Sequence, residues 1–99
     1  MAFEYGAFSA TLSAAAGEDS SLHAELRAAF RESLEQQVDL LSRARCDGNW
    51  VVAAQRIKGL AASFHAEPLM VLADEAVETA PGDPVVLRKL TAFIDDFDR

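Results

Sequence analysis

Apolar residues recur every three or four positions through most of the chain, the period of α-helices that each bury one stripe. Leu22, Leu26, Phe30, Leu34, Val38 and Leu41 form the longest stripe and predict a helix from Ser21 to Arg45. Asp19-Ser20-Ser21 supplies N-cap side chains for it, and Arg43 and Arg45 suit the negative end of its dipole. Before it, Tyr5 to Ala16 reads as a short helix with Phe3, Phe8 and Leu12 lying over one end of the fold, broken by Gly17-Glu18-Asp19. Asp47-Gly48-Asn49 reads as a turn and cap for a third helix, expected to end between Phe64 and Ala66 because Pro68 disfavours helical geometry just before it. Pro68 then suits the first turn of a fourth helix with inner stripe Leu69, Leu72, Ala73, Ala76 and Val77, stopped by Ala80-Pro81-Gly82. Asp83-Pro84 opens a fifth, with Leu87, Leu90, Phe93 (or Ile94) and Phe97 inside. Short links between long helices favour antiparallel neighbours. The expected fold is all-α: an antiparallel up-down-up-down four-helix bundle with a short N-terminal capping helix, one domain over residues 1–99.

The stretch from Trp50 to Phe64 is the most informative. On a wheel of about 100° per residue, Trp50, Ala53, Ala54, Ile57, Leu60, Ala61 and Phe64 share one broad apolar face that must be buried. Gln55 lies near the centre of the opposite face, surrounded by Val51, Val52, Gly59 and Ala62 and flanked by Arg56 and Lys58. A solvated helix face normally carries Glu, Lys and Gln, so this small, partly apolar face with a basic rim is unusual. Gly59 inside a helix costs roughly 1 kcal/mol relative to Ala. Either a neighbouring helix of this chain packs close to it, or something else approaches the backbone there.

Gln55-Arg56-Ile57-Lys58-Gly59 resembles the His-x-x-Lys-Gly signature of histidine phosphotransfer (HPt) domains, and the resemblance extends through Leu60-Ala61-Ala62-Ser63-Phe64 to Leu69 and Leu72-Ala73. In that family an exposed imidazole takes a phosphoryl group from the aspartyl phosphate of a receiver domain and passes it on. Here Gln55 stands at the phospho-accepting position, and His65-Ala66 stands where the family has Gly-Ala. The amide nitrogen lone pair of Gln is delocalised into its carbonyl, so Gln55 is neither a base nor a nucleophile, although it still donates and accepts hydrogen bonds. The resemblance therefore implies a phosphorelay protein that docks the receiver domain of a response regulator or hybrid histidine kinase without phosphotransfer, and so is not an enzyme. The expected partner-binding set is Val51, Val52, Gln55, Arg56, Lys58, Gly59 and Ala62, with Arg27 or Arg31 adding charge. Alternatives are phosphotransfer through His65 or His23, or a helical adaptor or dimer unrelated to receivers.

Composition narrows the partners. Half of the 99 residues are apolar and the net charge is −7, which disfavours nucleic acid. Six of the nine basic residues fall between Arg27 and Lys58, whereas Glu67 to Arg99 holds eight acids and three bases. The central helices thus offer a locally basic surface, unless their arginines are spent on Glu25, Glu32, Glu35 and Asp39. Cys46 is the only cysteine, which leaves no internal disulfide or multi-Cys metal site and fits a reduced cytoplasm. Ala10 to Gly17 lacks the features of a signal peptide, and no stretch approaches the ~20 apolar residues of a membrane span. No metal or cofactor is expected, and a monomer is. Trp50 reads as a core residue at one end of the fold. Glu18/Asp19 and Asp95/Asp96/Asp98 read as solvated carboxylates, and His23 as an exposed side chain.

Overall fold

The computed structural model describes residues 6–97, which form five α-helices and no strands. They are α1 (Gly6–Ala16), α2 (Ser20–Arg43), α3 (Asp47–Ser63), α4 (Glu67–Val77) and α5 (Pro84–Phe97). The expected start of the first helix at Tyr5, and the packing expected of Phe3, lie outside the described residues. Among the described residues no helix is long and apolar enough to cross a membrane.

Aspartates fix two of the starts. Asp19 Oδ1 accepts from the Leu22 N–H at 3.0 Å, and Asp83 Oδ2 accepts from the Val86 N–H at 3.0 Å, each satisfying a donor that the helix cannot. The third helix begins earlier than the sequence suggests. Asp47, Gly48 and Asn49 are its first turn rather than its cap; the N-cap is Cys46, with no side-chain hydrogen bond. Asp47 at the positive end of the helix dipole favours that start. Burying Trp50 from this helix fixes the same first turn.

α3 packs on both α2 and α4, α5 packs on α2 and α4, and α1 packs on α2. The core follows the apolar periods closely. Phe30, Leu34, Val38 and Leu41 of α2 are buried, as are Leu69, Ala73 and Ala76 of α4 and Val86, Leu90, Phe93, Ile94 and Phe97 of α5. Other positions depart from expectation. Leu22 is exposed because it sits in the first turn of α2, and Leu26, Leu72, Val77 and Leu87 are only partly buried, with Val86 taking the inner place in α5.

The two ends are built differently. At one, Trp50 is fully buried and its indole Nε1 donates to the Ala76 carbonyl at 2.7 Å, tying the start of α3 to the end of α4. At the other, Phe8 of α1 meets Phe30 (4.9 Å between ring centroids), Phe97 (5.5 Å) and Phe64 (6.0 Å), so four segments share one aromatic cluster. Arg27 closes this end, its guanidinium 4.2 Å from the Phe97 ring centroid and donating to the Phe97 carbonyl.

Candidate functional site

The two faces of α3 separate cleanly. Trp50, Ala53, Ala54, Ile57 and Ala61 are buried, with Leu60 and Phe64 partly so. Val52, Gln55, Arg56, Lys58, Gly59 and Ala62 are exposed, and Val51 is half-buried at the edge. The seven residues read from the sequence as one surface therefore lie on one helix, six of them open to solvent.

Gly59 answers the question its sequence position raised. Among the described residues a Cβ built there meets nothing within 4 Å, so no neighbouring described helix needs the glycine. The described packing gives no reason for it, and the residue leaves a side-chain-free patch one turn after Gln55.

The basic rim is less free than its composition implies. Lys58 Nζ lies 2.8 Å from Asp74 Oδ1, an ion pair from α3 to α4 with both side chains about half-exposed. Arg43 pairs with Asp39 at 2.7 Å and Arg31 with Glu35 at 3.0 Å, each one turn apart on α2. Arg27 and Arg31 were candidates to add charge to the Gln55 face; Arg27 is instead engaged with the end of α5. Arg56 has no ion-pair partner among the described residues and lines a shallow groove between α2 and α3 with Leu40, Arg43, Asn49 and Val52. Leu40 and Val52 are 45% and 48% exposed, unusual for residues of their size.

His65 has a backbone role. Its φ is +57°, in the left-handed region. The Ala66 N–H bonds the Ala61 carbonyl at 2.8 Å and the His65 N–H bonds the Ala62 carbonyl at 3.2 Å. This pair of bonds is the Schellman closure of a helix, with His65 at the position where glycine is favoured. The helix carrying Gln55 ends at Ser63, so the wheel does not extend to this imidazole. His23 is half-buried in the first turn of α2, not exposed as expected.

Two surface residues escaped the sequence reading. Asp74 is brought to Lys58 only by the packing of α4 on α3, which no local period encodes. Val71, 65% exposed, lies one turn before Asp74 on the same side of α4 and carries apolar surface beyond α3. Among the described residues no cluster of three or more His, Cys, Asp or Glu side chains is placed to hold a metal ion. No protein-family model, curated protein or solved structure matches this chain.

Proposed function

We propose that this protein is an HPt-like docking module that binds a receiver domain through the Gln55 face and transfers no phosphoryl group. The observation that carries the reading is Gly59: a glycine inside a helix, costing roughly 1 kcal/mol against Ala, with open space where its side chain would be. The described helices make no use of it, which supports a partner that approaches the backbone there. Gln55 and Ala62 beside it, and exposed Val52, extend a low-relief surface of the kind that excludes water on contact. Arg56 gives this surface positive charge on a protein of net charge −7, and Lys58, held by Asp74 across an exposed contact, adds to it when released, which suits the acidic phosphorylation pocket of a receiver. Gln55 keeps hydrogen-bonding capacity at the contact and lacks the nucleophilic nitrogen that transfer requires.

The scaffold in this reading is an antiparallel up-down-up-down bundle of α2, α3, α4 and α5, with α1 over the aromatic end. The closed cycle of packing, α2 to α3 to α4 to α5 and back to α2, supports it, as do the short links at residues 44–46, 64–66 and 78–83. Such a module competes with an active phosphotransfer protein for its receiver, or sequesters that receiver.

The test is an NMR titration of the labelled protein with a panel of receiver domains. Saturable shifts centred on Val52, Gln55, Lys58, Gly59 and Ala62 are expected. No shift with any receiver, or shifts confined to another face, would refute the docking reading. Incubation with a phosphorylated receiver should leave the protein without acid-labile, base-stable label. Label lost on His65→Ala or His23→Ala would show transfer through that histidine.

A further inference from the structure

Helix α4 sends one acidic residue to each neighbour, and the two ion pairs differ. Glu75 receives Lys89 of α5 on both carboxylate oxygens, at 3.0 and 3.1 Å, and is about one-third exposed. Asp74 meets Lys58 of α3 through one oxygen at 2.8 Å and is 57% exposed. The first pair is a strut on the far side of α4. The second lies at the border of the Gln55 face, where it neutralises one of the two cations that face offers.

We propose that Asp74 is a built-in competitor for the docking partner: it holds Lys58 in the free protein, and an acidic receiver surface must displace it to bind. This rests on the docking reading above and adds a residue that sets its strength. The physical argument has two parts. An exposed single-contact ion pair is weak, so it can exchange. The displaced Asp74 carboxylate then remains one turn from exposed Val71, beside the incoming acidic surface, and like charges across a contact oppose it. Asp74 thus lowers affinity for every acidic partner. It does so least for one whose carboxylates fall towards Arg56, on the side of Gln55 away from α4, and so favours that orientation. Neither part requires a change in the backbone.

Calorimetric titration of the full chain with a receiver domain tests this, using wild type, Asp74→Asn, Asp74→Asn with Lys58→Met, and Glu75→Gln. Asp74→Ser is a second neutral variant, and circular dichroism checks each fold. Asp74→Asn should bind about three- to tenfold more tightly with steeper salt dependence, as expected when a competing surface ion pair and a repulsive charge are both removed. Adding Lys58→Met should return most of the gain, and Glu75→Gln should bind as wild type does. If wild type binds and Asp74→Asn binds no better, the competitor role is wrong and docking stands. An equal gain from Glu75→Gln would reduce the effect to net charge and overturn the role likewise. If neither wild type nor Asp74→Asn binds any receiver, the docking reading fails and the competitor role fails with it.

Discussion

The inner and outer faces of α3 are made from the same short stretch of sequence and obey different constraints. On the inner face Trp50, Ala54, Ile57 and Ala61 have no exposed surface. On the outer face the space where a Gly59 side chain would begin is open among the described residues, Gln55 and Arg56 project into solvent, and Lys58 has a single exposed partner. Substitutions on the inner face change stability through packing. Those on the outer face remove no core packing and, in the proposed reading, act mainly on docking, so the two roles are separable by experiment.

The largest effect should come from the inner face. Trp50→Ala removes the largest buried side chain and leaves the Ala76 carbonyl without its indole donor, at a cost of about 3–5 kcal/mol. Denaturant unfolding should show the midpoint falling with little change in slope. A loss below about 1 kcal/mol would mean that this end of the fold repacks easily. Outer-face charges come next. Arg56→Gln with Lys58→Met should weaken receiver binding about tenfold or more while stability stays within about 0.5 kcal/mol. Lys58→Met is the cleaner variant, because a glutamate at 58 would face Asp74. Unchanged affinity would separate the basic rim from docking.

The smaller effects concern backbone geometry. His65→Gly should stabilise the protein by about 1 kcal/mol, since glycine holds the left-handed conformation at no steric cost. A loss of stability instead would assign the imidazole a contact that matters more than its backbone. Gly59→Ala should add about 0.5–1 kcal/mol, because the methyl meets open space and the helix gains propensity. Gly59→Gln should fold as well as wild type and dock poorly. If it docks normally, the bare patch at Gly59 is not the contact, and the reading loses its strongest support.

Local signals in the chain were enough to place the helices and to say which side chains share the outer face of α3. Five apolar stripes, two aspartate caps and the Gly17 and Pro68 breaks are local signals, and local hydrogen bonds and steric limits turn them into elements within a residue or two. The Gln55 face was legible for the same reason: all seven of its residues lie on one helix, where spacing alone fixes which side chains share a side. What that face can offer depends on the packing of the helices. The packing leaves the side-chain direction of Gly59 open among the described residues, gives Arg27 to the end of α5, and brings Asp74 to Lys58. These are contacts between segments distant in the chain. They depend on how the helices are placed against one another, a sum over the whole core that no window of sequence contains.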